Sequence, residues 1–417
     1  MSKTSTPLRR RDKTSATEVR QRGSRTFWLV AAVYVLAMLG GTLPVPLYLL
    51  WAPRMGFGPL TTTLIFAVYA IGVVVSLMLF ASMSDRSGRR PLLFAALALA
   101  AVSTVAFLLA DDVMVLLAAR LFSGLATGIV TATATAALEE LAGHGRTRRA
   151  TITATAANLG GLGIGTLIAG LLAEFAPDPT SLVFWIYLIA LVPAVLATAL
   201  VPETVVQPRR PTLAVRRPTL PTGRADRVLF LRVAAAVFAA FAVNALFSSL
   251  VPDFLHGVLH VASEATVGGV VALLFLSALV AQLGAPARWL ERRWLAPGFL
   301  VVGVAVFVAG LWTRSFPVFV VGTVLAGVGS GLAFRRGIAV TARLADPRRR
   351  ADLNATYFLA AYAGTIVPTL ALGGLDQVLD AKLATAILAA FIIVITVAAA
   401  VAPQRSPARA VPRRPRS

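Results

Sequence analysis

The stretch SMSDRSGRRPLL, Ser82 to Leu93, sets one acid and three arginines between two long runs that carry no charge. The flanks decide what such a cluster is. Residues 60–81 and 92–110 are each about the ~20 residues that cross roughly 30 Å of hydrocarbon as a helix. The cluster therefore reads as a short turn at a membrane surface: Gly88 permits a tight reversal and Pro91 opens the next helix. Working outward, ten more largely apolar runs follow the same pattern. The expected spans are 27–50, 60–81, 92–110, 114–138, 150–173, 182–201, 229–251, 266–286, 297–312, 316–342, 353–373 and 383–402.

Composition agrees with this reading. Of 417 residues 58% are hydrophobic and 14% charged, with a mean hydropathy of +0.80, more apolar surface than a water-soluble chain of this length can bury in its own core. A membrane barrel would alternate apolar and polar residues, whereas VFWIYLIALVPAVLATAL (Val183–Leu200) is apolar on every side. The first run follows a polar leader and is too long for a cleavable signal. The expected fold is all-α and polytopic, with twelve transmembrane helices in two pseudo-symmetric six-helix bundles.

Charge fixes an orientation. With the amino terminus inside, and with Arg232, Arg335 and Arg336 counted at the cytoplasmic ends of their spans, all but four of the 39 Lys and Arg fall on the cytoplasmic face; Arg54, Arg314 and Lys382 lie outside and Arg120 lies within a span. This is the positive-inside asymmetry, and it places both termini in the cytoplasm. The formal charge of +21 is thus explained without nucleic acid, and the basic arms (Arg9–Lys13 and the carboxy-terminal PRRPRS) are solvated tails near anionic lipid. The Pro- and Arg-rich stretch Val205–Arg227 separates two halves. The division is a basic tail 1–26, a first bundle 27–204, a cytoplasmic linker 205–228, a second bundle 229–402 and a basic tail 403–417. The halves resemble each other: LFSGLATG (Leu121–Gly128) returns loosely as LAGVGSG (Leu325–Gly331), and TRRATITATAANLGG (Thr147–Gly161) as RRADLNATYFLAAYAG (Arg349–Gly364).

Several chemistries are excluded. With no cysteine there is no disulfide, zinc-thiolate site or thiol nucleophile. HExxH, GxSxG, paired intramembrane acids and a GxxxxGK[ST] phosphate loop are all missing, so neither an enzyme nor a nucleotide-driven pump is indicated and no cofactor is implied. His256 and His260 have the i, i+4 spacing of metal ligands but no third ligand nearby, and no metal site is assigned.

Asp85-Arg86-Ser87-Gly88-Arg89-Arg90-Pro91 resembles the loop 2–3 signature of the major facilitator superfamily, G-x-L-a-D-R-x-G-R-R, with Ala81 and Met83 in place of its Gly and Leu. Arg120-Leu-Phe-Ser-Gly124-Leu-Ala-Thr-Gly128 is similar to the R-x-x-q-G pattern in span 4 of proton-coupled members. Gly161-Leu-Gly-Ile-Gly165-Thr166-Leu-Ile-Ala-Gly170 resembles the antiporter pattern G-x-x-x-G-P-x-x-G-G, with Thr166 and Ala169 replacing Pro and Gly, and VPET (Val201–Thr204) resembles the usual end of span 6. The resemblance implies a secondary transporter in a bacterial cell membrane, expected as a monomer, coupled to protons and closest to the drug/proton antiporters. Export of a small, largely apolar compound is the first expectation; import or facilitation of a small metabolite is the alternative, and a membrane receptor or enzyme a remote one.

The resemblance also implies roles. Asp85, Arg86, Gly88, Arg89 and Arg90 would form a cytoplasmic gate latch, with Asp85 facing the start of span 11 around Asp352–Thr356 and Arg89 pairing with Glu139 or Glu140; otherwise they are topology anchors. Arg120 lies about 10 Å into span 4, where an arginine costs ~2.5–3.5 kcal/mol at a span centre. It either faces the cavity, tuning a proton or substrate site beside Gly124, or snorkels towards Asp111 and Asp112; its removal is expected to leave stability unchanged or slightly raised. Arg335 and Arg336 either flank span 10 or line an inner vestibule. Tyr34, Asn158, Asn244 and Tyr357 are candidate cavity groups, suited to a largely apolar ligand. Gly161, Gly165 and Gly170 provide close helix packing. No carboxylate lies clearly inside a span.

Overall fold

The computed structural model describes residues 9–143, 145–205, 218–249, 251–257, 259, 261, 263–346 and 349–401, with the side chains of Asp85 and Arg86 among those outside the description. The first half contains α1 (Arg9–Thr42), α2 (Tyr48–Met55), α3 (Pro59–Ser87), α4 (Arg89–Leu108), α5 (Val113–Ala142), α6 (Thr147–Phe175) and α7 (Pro179–Leu200). The second contains α8 (Arg224–Ser249), α9 (Val251–Gly257), α10 (Glu264–Gly284), α11 (Ala287–Glu291), α12 (Leu295–Trp312), α13 (Phe316–Leu344), α14 (Arg350–Leu375) and α15 (Ala381–Val401). Among the described residues, twelve of these helices are long and apolar enough to span a membrane, and none of the residues is in a strand.

Helix ends follow local chemistry. Asp112 accepts a hydrogen bond from the Val115 N–H at 2.9 Å to start α5, and Ser263 accepts from the Thr266 N–H at 3.1 Å to start α10. Gly88 sits between α3 and α4 at φ 108°, which a β-carbon would strain. Some boundaries differ from expectation: α1 already begins at Arg9, and α3 runs on to Ser87, so the expected turn narrows to Gly88. The first span was expected to reach residue 50, but α1 stops at Thr42. Pro44 and Pro46 lack N–H groups, so the chain turns there and resumes as α2.

In α7, Val183, Phe184, Tyr187 and Leu191 are buried while Trp185, Ile189 and Leu196 are more than half exposed. In water that outer face would be a liability; against acyl chains it is the matched surface.

The halves are built alike. In the first, α1 packs on α5 and α6, α3 on α5, and α4 on α5 and α7; in the second, α8 packs on α13 and α14, α10 on α13, and α12 on α13 and α15. The register is sharp. Gly124 packs on the Tyr69 backbone and Gly128 on Ser76 and Val73, as Gly327 packs on Leu274 and Gly331 on Ala278; Gly161 meets the Val35 carbonyl as Gly364 meets that of Phe238. Gly124 and Gly327, Gly128 and Gly331, Gly161 and Gly364, and Val35 and Phe238 are each 203 residues apart. Lipid gives helices no hydrophobic reason to associate, so close backbone approach supplies the dispersion contacts instead.

Two seams join the halves, α6 on α10 and α3 on α14. A β-carbon at Gly170 would lie 2.7 Å from the Glu264 carbonyl oxygen, at Gly163 3.3 Å from Ala272, and at Gly160 3.8 Å from Leu279. The first seam is therefore tightest far from the arginine-rich loop and loosens towards it. At the tight end the Glu174 carboxylate accepts hydrogen bonds from the Ser263 hydroxyl and from the Ala265 N–H at 2.8 Å, while Gly373 abuts Thr63 across the second seam.

Candidate functional site

At the arginine-rich end the guanidinium of Arg89 reaches Glu140 at 2.8 Å, so Glu140 is the partner among the two acids expected there. Glu140 also accepts from the Thr204 hydroxyl at 2.5 Å. Glu203 accepts from the N–H groups of Arg89 at 2.8 Å and Arg90 at 3.1 Å, capping the start of α4. A side chain at Gly88 would strike this carboxylate. The cluster ties α4, α5 and the segment after α7 within one half. The partners named here all lie before the linker, in the first half. The expected contact of Asp85 with the start of α14, and any contact of Arg86, lie outside the described side chains. The linker is held to the second half at this end, its Thr219 N–H donating to the Thr356 hydroxyl at 2.8 Å.

Arg120 is fully buried. Its Nη1 donates to the Gly41 carbonyl at 2.8 Å and its Nε to the Tyr48 hydroxyl. Its guanidinium carbon lies 5.2 Å from the ring centroid of Tyr48 and 5.1 Å from that of Tyr69. It does not snorkel towards Asp111 and Asp112; a carbonyl, a hydroxyl and two aromatic faces hold the cation inside the first half. Its Nη2 has no hydrogen-bond partner among the described residues, nor does the nearby buried Tyr187 hydroxyl. Bulkier residues are excluded at Gly40, against the Tyr187 ring, and at Gly41, against Tyr69 and Thr127. Gly124 lets α5 lie directly on α3 one turn beyond Arg120.

The uncharged candidates separate into groups. Asn158 donates to the Tyr34 hydroxyl at 3.0 Å and approaches the Met38 sulfur at 3.7 Å, joining α1 and α6. Asn244 meets the Ser330 hydroxyl at 3.1 Å between α8 and α13. Tyr357, another expected cavity group, is wholly buried, as is Tyr34. Its hydroxyl donates to the Phe334 carbonyl at 3.2 Å, and its ring covers Gly337. Helix α13 runs on to Leu344, so Arg335 and Arg336 are internal to it. Arg335 donates to the Gln282 and Ala285 carbonyls, both at 2.7 Å, and caps the end of α10. Gly161 and Gly165 pack on α1, whereas Gly170 packs on α10 across the seam. His256 lies 3.5 Å from Glu264, and His260 lies outside the described residues.

Residues 30–290 match the sequence model of the Major Facilitator Superfamily. The chain belongs to the Major Facilitator Superfamily. No curated protein sequence matches it significantly. Among solved structures, a POT family transporter in complex with 5-aminolevulinic acid aligns at TM-score 0.73 and 14% identity, covering 91% of this chain and 95% of that one. A bacterial homolog of the human lysosomal transporter Spinster, inward-facing and unoccupied, aligns at 0.63 and 15%, covering 91% and 94%. The human organic anion transporter MFSD10 aligns at 0.61 and 18%, covering 90% and 99%. These likenesses establish the transporter fold. As a superfamily member the chain is a multi-pass membrane transporter of small molecules, not an enzyme.

Sequence reasoning missed four residues in this superfamily frame. Glu203 stood in the VPET that marked a span end, but nothing local shows that it folds back 114 residues onto Arg89. Tyr48 is one of many aromatics until α2 brings it to Arg120. Glu174 and Glu264 flank loops in the sequence and meet at the seam only in three dimensions. Replacing Glu203 with Ala should lower stability by about 1 kcal/mol, the usual worth of a helix amino-terminal partner. An unchanged thermal midpoint in Glu203→Ala would show that the carboxylate does not hold the start of α4.

Proposed function

We propose that this superfamily member exports a small, largely apolar compound in exchange for protons, by alternating access between its two six-helix halves. The observation that carries the reading is the loosening of the α6–α10 seam from Gly170 through Gly163 to Gly160: the halves meet at one end and part towards the other, as a rocking pair must. With the arginine-rich end and both termini cytoplasmic, this state is closed outside. The groups beside the parting side, Tyr34, Asn158 and Met38, are uncharged, which suits an apolar ligand with one or two hydrogen-bonding groups better than a sugar or an ion. The span 5 likeness to antiporters supports export.

The Asp85–Arg90 loop with Glu140 and Glu203 is proposed as the rigid cytoplasmic edge of the first half, acting on the second through Asp85. Arg120 is the proposed coupling residue. The acids placed to take up a proton are Glu174 and Glu264; one oxygen of Glu264 is buried without a hydrogen-bond partner, and His256 stands beside it. Proteoliposomes given an imposed pH difference should show transport that follows its sign and size. Rates indifferent to pH but dependent on sodium, or on no ion, would reject proton coupling.

A further inference from the structure

A small, partly open pocket lies between α8, α12, α13 and α15 at the arginine-rich end, and three arginines line it: Arg232, Arg293 and Arg336. Among the described residues lining it, none is acidic. Arg232 is committed to the protein, donating to the Ala399 carbonyl at 2.8 Å and to that of Ala400 at 2.9 Å at the end of α15. Arg293 stands at the mouth over the Trp294 ring, 5.2 Å from its centroid. Arg336 makes no hydrogen bond to another described residue. Each of Arg232 and Arg336 is eight residues inside its helix, about 12 Å from the helix end. Leu300, Val233 and Ala333 supply apolar wall alongside the cations.

The repeat shows how unusual this is. At the 203-residue spacing Arg293 corresponds to Arg90, Arg232 to Leu29 and Arg336 to Thr133. In the first half, therefore, two of the three cations are absent, and Glu203 binds the backbone N–H of Arg90. Glu140, which neutralises Arg89 there, corresponds to Arg343 in the second half. The second half thus gains two cations within the bundle and replaces an acid with a third. Guanidinium groups gathered around one pocket repel one another and favour an anion that the described lining residues do not provide.

We propose that this cavity binds a phosphate group, with Arg336 and Arg293 as its ligands and Arg232 holding the wall. Guanidinium forks match phosphate oxygens in paired hydrogen bonds, and the apolar wall accepts the glycerol and first acyl carbons of a phospholipid. The phosphate could equally arrive as the free ion, and the two sources are separable.

The test uses the full-length protein in a neutral detergent, with phosphatidylglycerol, phosphatidylcholine and inorganic phosphate as probes, read by bound adducts in native mass spectrometry and by thermal midpoint. Wild type should bind phosphatidylglycerol about tenfold more tightly than phosphatidylcholine. Arg336→Gln and Arg293→Gln should each weaken it about fivefold, the usual effect of one basic residue at an anionic headgroup. Arg336→Lys should keep most of the binding, and its folded yield guards against misfolding of the Gln variant. Arg343→Gln, outside the cavity lining, should bind like wild type. If inorganic phosphate displaces the lipid and raises the midpoint equally, the site is a phosphate site filled from solution; if it does neither while phosphatidylglycerol binds, the headgroup is the source. Equal binding of the two lipids with no effect of phosphate, unchanged affinity in Arg336→Gln, or an equal loss in Arg343→Gln would overturn the proposal.

Discussion

Arg120→Ala is expected to abolish transport and to lower stability by about 2 kcal/mol or more. Sequence reasoning anticipated a neutral or slightly favourable effect on stability, because an intramembrane charge would be removed. The contacts reverse that sign. Alanine leaves the buried Gly41 carbonyl without its 2.8 Å donor and the Tyr48 hydroxyl without its guanidinium, and unmade buried hydrogen bonds cost about 1–3 kcal/mol each. The two ring faces also lose their cation, worth roughly 0.5–2 kcal/mol. Arg120→Lys keeps the charge but, as a point cation, cannot serve the carbonyl, the hydroxyl and both rings together. Its transport rate per folded molecule should fall by about tenfold or more, the equivalent of one charge-assisted hydrogen bond. Tyr48→Phe, which removes the hydroxyl and spares the ring, should fall between Lys and wild type. Wild-type rates per folded molecule in both Arg120 variants would end the coupling role.

A second large effect is expected from two glycines on one helix. Gly170→Ala places a methyl group 2.7 Å from the Glu264 carbonyl oxygen and 2.9 Å from the Gly268 α-carbon, across the seam between the halves. Neither contact can yield without separating α6 from α10, so the closed end should open. Gly161→Ala places its methyl 2.7 Å from the Val35 carbonyl oxygen within one half; it should lower stability by roughly 1–3 kcal/mol, the scale of overpacking, without changing which end is open. The chain has no cysteine, so a single cysteine introduced near the tight end reports accessibility cleanly. Labelling there should rise severalfold in Gly170→Ala and stay near the wild-type level in Gly161→Ala. Equal labelling in both variants would mean that Gly170 is an ordinary packing position.

The twelve membrane helices, their all-α class and the internal repeat were legible in the sequence, because the bilayer forces one solution on any long uncharged run: a helix whose backbone groups bond internally. The Arg89–Glu140 pair was one of two possibilities that the family resemblance implied, Glu139 being the other. What the sequence could not determine was which groups meet across long separations. The end of α1 at Thr42 depends on two prolines, and it is this break that brings Tyr48 onto Arg120. Arg335 and Arg336 are adjacent, yet successive residues on a helix point about 100° apart; one caps α10 and the other faces a cavity with Arg232 and Arg293. Glycine spacing announced close packing but not the partner: Gly161 and Gly165 serve α1, Gly170 serves α10. Periodicity fixes the helices, while rotation and neighbour are settled by backbone approach and by the need of each buried polar atom for a partner.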